Sequence, residues 1–445
     1  MTANCDDKGR CALTGAAATA TLVAAMALGL AACDGPAGPP ASSEVEVVSW
    51  WTEGGEANAL QSLLTLFSNR YPHQKVIDAV VTGSNKARET IRNRMLGGQP
   101  PETFQANGGW GLLAWVLYNQ RNEADSKMEP IDSLAAEEGW NAVIPKPVLD
   151  TVSFGGHTYA VPLNIHRLNT LFFNKQLFIQ YGIAEPKTLD QLFAVAAAFR
   201  DRGITPIAVG AVEPWTLSLL LFENLLVARA GGPYYRDFLV GHGDAWAPEV
   251  AAALEDLRTL LSFANTNATQ LTWSGAVELV RTGKAAMTIM GDWAKGYFLA
   301  NQGVPEVSFG EIATPGTGAA FVFTTDTFGL PMGVRNRAGA LDLLRVFGSR
   351  EGQDTFNPIK GSIPARKDAN VEAYDVMAQN NINDFRDAAA ADPTMLVPAT
   401  ALLAPPEFTD AVEHALATFV VDGNASAVLH TLDNWYDLLR PSPWQ

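Results

Sequence analysis

Between Val45 and Val81 the apolar residues repeat first every second position, then about every 3.6, then every second again. That alternation of periods commits the opening of the chain to a βαβ unit. Val45-Glu46-Val47-Val48-Ser49-Trp50-Trp51 is rich in β-branched and aromatic residues and predicts a strand, which Gly54-Gly55 interrupts. Leu60, Leu63, Leu64 and Phe67 then share one helix face that stops at Tyr71-Pro72. Val76 to Val81 is the second strand, joined to the first by a right-handed crossover. The pattern returns at a capping box, where Thr188 and Gln191 precede Leu192, Phe193 and Phe199. It returns again where Ser274 is expected to cap a helix running through Val280, Gly283 to end it, and Ala285 to Met290 to form a strand. With no repeat and no low-complexity tract, the fold class is α/β. In such sheets ligands bind beyond the carboxyl ends of strands, so loops after strands are the places to search.

The first 33 residues say where the chain works. Lys8 and Arg10 precede an uncharged apolar run from Cys11 to Ala32, the order of a secretory signal. Its end, Leu30-Ala31-Ala32-Cys33, resembles the lipobox of bacterial lipoproteins. The resemblance implies that Cys33 becomes an acylated N-terminus anchoring the protein at the outer face of the cytoplasmic membrane or in the periplasm. An uncleaved signal anchor, or ordinary cleavage near Ala31, would also follow from such a segment. Residues 34–43, with Gly35, Pro36, Gly38, Pro39 and Pro40, read as a tether.

Composition removes several functions. The formal net charge is −16 and Lys and Arg are not clustered, which excludes a nucleic-acid partner. Cys5, Cys11 and Cys33 all fall in the leader, so neither disulfides nor thiol chemistry are expected beyond it. After Cys33 no apolar stretch approaches the ~20 residues that span a bilayer. Six histidines (73, 157, 166, 242, 414, 430) offer no metal-ligand spacing, and there is no nucleophile elbow, phosphate-binding loop or dinucleotide fingerprint. No cofactor is expected. Roughly 400 residues exceed one hydrophobic core, so two domains are expected.

Four loops and one aromatic stand out: Trp50-Trp51, Thr82-Gly83-Ser84, Gly291-Asp292-Trp293, the segment Asn357 to Ser362 after a late helix, and Trp273. A hexose requires such a mixture. Its C–H faces pack on indole rings, while each hydroxyl both donates and accepts, so carboxylates, amides and amines together satisfy it. Plain structural readings compete at each position. Tandem Trp is often core packing, and neighbouring strand residues face opposite ways, so only one of Trp50 and Trp51 could stack on a ligand unless the strand bends. Trp273 could staple its helix, Asp292 could cap the next helix, and Lys360 could be a solvated surface lysine.

These same residues carry a family resemblance. Ser49-Trp50-Trp51, Val81-Thr82-Gly83 and Arg94 to Pro101 support it. So do Val161-Pro162-Leu163-Asn164-Ile165-His166-Arg167, Gly283 to Ala286 with Met290-Gly291-Asp292-Trp293, Asp326 to Pro331, and Gly352 to Pro358. From Val45 to the C-terminus the chain is similar to the extracellular solute-binding proteins of carbohydrate ABC transporters, most of all to their glucose/mannose-binding branch. The resemblance implies a type II periplasmic-binding-protein fold: two α/β lobes with a ligand cleft between them, closing by hinge bending. Lobe one would be 44–165 plus 322–364 and lobe two 166–321 plus 365–445, with crossings near Leu163–Leu168, Ala319–Thr325 and Ile363–Arg366. The implied function is capture of a hexose such as glucose, galactose or mannose by a monomeric, non-enzymatic receptor, and delivery to a membrane permease.

Residue by residue, the resemblance implies cleft contacts from Trp50, Trp51, Glu56, Thr82, Gly83, Gln105, Trp273, Trp293, Asp326 and Lys360. His166 sits at a crossing and is a weaker candidate. Asn107 and Thr400 stand where the branch places histidines, and these shorter side chains leave room for a disaccharide, a polyol or a glycosylated compatible solute instead. A glycoside hydrolase using Glu56 and Asp326 is the enzymatic rival, because paired carboxylates beside aromatic platforms are what glycosidic cleavage uses.

Overall fold

The computed structural model describes residues 43–117 and 126–439. The signal segment, Cys33 and all of the tether before Ser43 lie outside the described residues. The opening βαβ unit forms as its periodicity predicts. Strand Glu44–Val48 buries alternate valines, and helix Gly54–Arg70 buries Ala59, Leu60, Leu63, Leu64 and Phe67 on one face. Strand Lys75–Asp78 returns parallel to the first. It ends at Asp78, short of the expected Val81, and the first strand ends at Val48. Trp50 and Trp51 therefore lie beyond the pleat, and the alternation rule no longer sets which way they face.

The first sheet runs Lys75–Asp78, Glu44–Val48, Thr103–Asn107, Asp326–Pro331, Met128–Glu129, with Ala160–Pro162 also paired to Asp326–Pro331. The Asp326 strand is antiparallel to its neighbour, with Asp326 opposite Asn107 and Phe328 opposite Gln105. A second sheet runs Thr205–Ile207, Ala285–Ile289, Thr170–Asn174, Phe309–Ala313. Each has its own core. Trp51, Leu63, Phe67, Trp140, Phe328 and Phe347 are buried beside the first, and Phe172, Phe199, Leu225, Leu254, Met287 and Phe298 beside the second. A third, four-stranded sheet joins Ile363–Pro364, Asn164–Arg167, Phe321–Thr324 and Leu396–Pro398. Its first three strands are the segments expected to cross between lobes; the fourth was not anticipated.

Three local expectations change. Helix Trp273–Arg281 is capped by Thr272, whose hydroxyl accepts from the Gly275 amide; Ser274 lies inside the helix. At the capping box Thr188 accepts from the Gln191 amide as expected, while the Gln191 side chain reaches back to the Lys187 amide. Residues 365–445 do not all pack together. Helix Val376–Ala391 contributes Ala378, Ile382, Phe385 and Ala388 to the first core, because Phe385 lies edge-on to Phe321 and Phe323. Phe408, Val412, Leu416, Phe419 and Leu432 pack in the second core.

Candidate functional site

Three helix ends meet at one end of a cleft. Helix Gly54–Arg70 starts beside Glu56, helix Trp293–Ala300 starts at Trp293, and helix Arg350–Lys360 stops at Lys360. Glycine allows the approach. A Cβ on Gly296 would sit 2.3 Å from the Lys360 carbonyl oxygen, and one on Gly55 would sit 2.6 Å from the Gly296 carbonyl. Only hydrogen fits at either position. The result is an ion pair between Lys360 Nζ and Glu56 Oε1 at 2.8 Å, with Lys360 only 1 % exposed. Nζ also lies 5.6 Å from the ring centres of both Trp51 and Trp293, within cation–π range. Trp51 is itself core, packed on Phe328 and Phe356, so its position is fixed before any ligand arrives.

Behind this cage His166 bridges two aspartates. One ring nitrogen bonds to Asp292 and the other to Asp326 Oδ2 at 2.9 Å, and the imidazole stands edge-on to Trp293. Asn164 donates to the same Asp326 oxygen and accepts from the Asp326 amide. Gln105 donates to Asp326 Oδ1 at 2.9 Å and accepts from the Trp50 amide. Burial pushes the Asp326 carboxyl up, but His166, Lys360 and Asn164 outweigh it and hold the group at about 2. Burial and Lys360 push His166 down; Asp292 and Asp326 overcome both, so its pKa is raised. For Glu56 burial wins over Lys360, and its carboxyl is pushed up.

The far end of the cleft is looser. Arg88 lies over the Trp50 ring at 5.4 Å and donates to Asn107 Oδ1 at 3.0 Å and Asn85 Oδ1 at 3.2 Å. Glu413 faces the same space, and burial pushes its carboxyl up to about 7. A π-helical turn, Thr216–Phe222, follows Trp215 and supplies Ser218 and Leu219 to the wall. Such turns are uncommon and concentrate at functional sites. Glu213, half-buried, accepts from the Trp273 amide at 3.1 Å. The cavity measures about 190 Å³.

Eleven of the thirteen expected residues line it: Trp50, Trp51, Glu56, Thr82, Gly83, Asn107, His166, Trp273, Trp293, Asp326 and Lys360. Two do not. Gln105 is buried behind Asp326 and orients it. Thr400 lies in a small adjoining pocket, bonded to Tyr235 at 3.1 Å and near Glu223, because Tyr235 fills the space between it and the second core. Asp292 is not a helix cap; its backbone is already helical at φ −61°, and its carboxylate goes to His166 and the Arg167 amide. Asn357 to Lys360 form the last helical turn rather than a loop, ended by Gly361 at φ +96°, which is why Lys360 points inward rather than into water. Sequence reasoning missed Arg88, Glu213, Trp215, Glu223 and Glu413. Only Trp215, after Pro214 at a helix start, resembled the aromatic positions that were singled out. Among the described residues no group of His, Cys, Asp and Glu is placed to hold a metal ion, and no helix is long and apolar enough to cross a membrane.

The family described as bacterial extracellular solute-binding protein matches residues 43–354. An uncharacterized ABC transporter extracellular-binding protein of Pyrococcus horikoshii is 36 % identical over 394 residues, covering 85 % of this chain and 86 % of the relative. A probable sugar-binding periplasmic protein of Rhizobium meliloti is 30 % identical over 373 residues, covering 83 % and 86 %. Among solved structures, the bacterial solute receptor AcbH superposes with a TM-score of 0.76 at 18 % identity, covering 89 % of this chain and 98 % of its own. The likeness to solved structures confirms the fold that the family resemblance implies, two α/β lobes of the type II binding proteins. The chain belongs to the bacterial extracellular solute-binding protein family.

Proposed function

We propose that this protein is the sugar receptor of an ABC uptake system and that its ligand is a hexose such as glucose, galactose or mannose. The observation that carries the reading is the cage in which Glu56, Lys360, Asp326 and His166 meet between the rings of Trp51 and Trp293. It offers fixed donors and fixed acceptors within one aromatic frame, and charged groups make the stronger hydrogen bonds to hydroxyls. A solved relative in fold, AcbH, is described as preferring β-D-galactopyranose, and the Rhizobium relative as sugar-binding. Lobe one (44–165 with 322–364) and lobe two (166–321 with most of 365–445) would close about the four-stranded joining sheet, and the closed form would dock on the permease. Closure would desolvate the polar contacts and strengthen them. An anchor on Cys33 would keep the receptor, as a monomer, beside that permease.

The ion pair speaks against hydrolysis. Glu56 is engaged by Lys360 rather than free to protonate a leaving group, so aryl-glycosides should release no phenol. A thermal-shift panel tests the reading, since a ligand that binds only the folded state raises the melting point by mass action. A shift with one or more hexoses is expected. A shift only with disaccharides, polyols or glycosylated solutes would keep the receptor and change its ligand. No shift with any sugar would overturn the sugar reading.

A further inference from the structure

We infer that Arg88 and Glu413 form a second polar subsite in the cleft, one that grips a single hydroxyl of the captured sugar and thereby selects among epimers. This rests on the reading of the cleft as a sugar site. Glu413 belongs to helix Pro406–Asp422, whose Val412 and Leu416 pack in the second core, and it is 7 % exposed. Among the described residues its carboxylate has neither a hydrogen bond nor an ion pair, yet it lines the cavity. A largely buried carboxylate that makes no bond within the protein is costly, and facing the cavity it can take one from a visitor. Arg88 approaches from the other side, on helix Ser84–Leu96, whose Ile91 and Met95 pack beside the first sheet. Its hydrogen bonds to Asn85 and Asn107 leave donors of the guanidinium fork free.

The chemistry of the visitor follows from that pairing. Above pH 7, where the Glu413 carboxyl loses its proton, it only accepts, and a guanidinium only donates. A hydroxyl does both, so it can donate to Glu413 and accept from Arg88 at once. An ammonium would satisfy Glu413 but be repelled by Arg88, and an anion would suffer the reverse. The other charges facing Glu413 do not supply the missing bond. Asp410, on the same helix, repels it, and Glu223 is already bonded to the Tyr235 hydroxyl and the Thr400 amide. Asn107, in place of a longer side chain, holds Arg88 against Trp50 rather than reaching the ligand itself.

The test is calorimetric. The tightest binder among D-glucose, D-galactose, D-mannose, maltose and trehalose is titrated, with each of its monodeoxy derivatives, into the wild type, Glu413→Gln and Arg88→Gln. One monodeoxy derivative should bind the wild type about 10- to 100-fold more weakly than the parent sugar, the loss of one charged hydrogen bond. In both variants that derivative and its parent should bind within about twofold of each other, while other deoxy positions lose as they do in the wild type. If the variants weaken parent and derivatives equally, or leave all unchanged, the subsite does not exist. Tighter binding of D-glucosamine than of D-glucose would make it an ammonium site and also overturn the inference. Absence of binding by every sugar to the wild type overturns the sugar reading, whereas sugar binding without the coupling overturns the subsite alone.

Discussion

Lys360 and His166, at one end of the cleft, are wrapped by partners: Glu56 and two indole rings around the first, Asp292 and Asp326 around the second. Glu413, at the other end, is as deeply buried as many core residues and has no such wrapping. One end is therefore settled before ligand enters, and its charges hold one another in place. The other keeps an acceptor and a donor apart, facing each other across the space where ligand would sit. Pre-paired charges supply a rigid frame at no ordering cost on binding, whereas unpaired ones can discriminate, because a ligand lacking the right group leaves them unsatisfied.

Substitutions at the settled end should be the more damaging. Removing one partner from a buried charge network leaves the rest uncompensated, so His166→Ala, which strands Asp292 and Asp326, should destabilise the protein by about 3–5 kcal/mol in denaturant titration. A loss below about 1 kcal/mol would show that the network holds nothing together. Lys360→Ala should weaken sugar affinity by about 1.5–3 kcal/mol, read by calorimetry; unchanged affinity removes Lys360 from the site.

At the open end the effect should change sign. Glu413→Gln should stabilise the sugar-free protein above pH 7, by about 1–2 kcal/mol, because it removes a buried carboxylate that lacks a partner. The pH dependence gives the sign independently. The folded value for Glu413, about 7, lies above the ordinary 4.5, so the folded protein keeps a proton that the unfolded chain has lost. Stability from this group is full below pH 4.5, falls as pH rises towards 7, and Glu413→Gln should flatten that slope. Asp326 runs the other way. Its value of about 2, against an ordinary 3.8, gives stability that is present above pH 3.8 and lost as pH falls through 2. The smallest effect is expected from Thr400→Val, which should cost about 1 kcal/mol of stability through its bond to Tyr235 and leave sugar affinity unchanged. A large affinity loss there would put Thr400 back at the ligand.

The settled end was legible in the sequence, and the open end only at residues such as Trp50 and Asn107, for a physical reason. Trp51, Trp293, Asp326 and Lys360, like Trp50 across the cleft, sit at ends of strands and helices, where periodicity breaks and motifs stand out. Even so, Lys360 lies in a stretch with Pro358 that resembles a loop, and only the helical turn through that proline carries its side chain inward. Arg88 lies in a largely polar helix with few apolar positions to fix its faces, so nothing marks it from Arg92 or Lys86. Glu413 sits next to Val412 on a helix whose apolar face is clear, and an acid there reads as solvated until the π-helical turn and the second core close over it. The expected crossing segments came from the family resemblance and not from local pattern; that Leu396–Pro398 joins their sheet depends on a parallel pairing with Phe321–Thr324 that no local signal announces.

The most direct test of the central claim is calorimetric titration of D-glucose, D-galactose and D-mannose into the wild-type protein and into Lys360→Ala. One-to-one binding of at least one of these sugars to the wild type is expected, with a loss of about 10-fold or more in the variant while its fold is retained. No heat of binding with any of them, or equal affinity in both proteins, would contradict it.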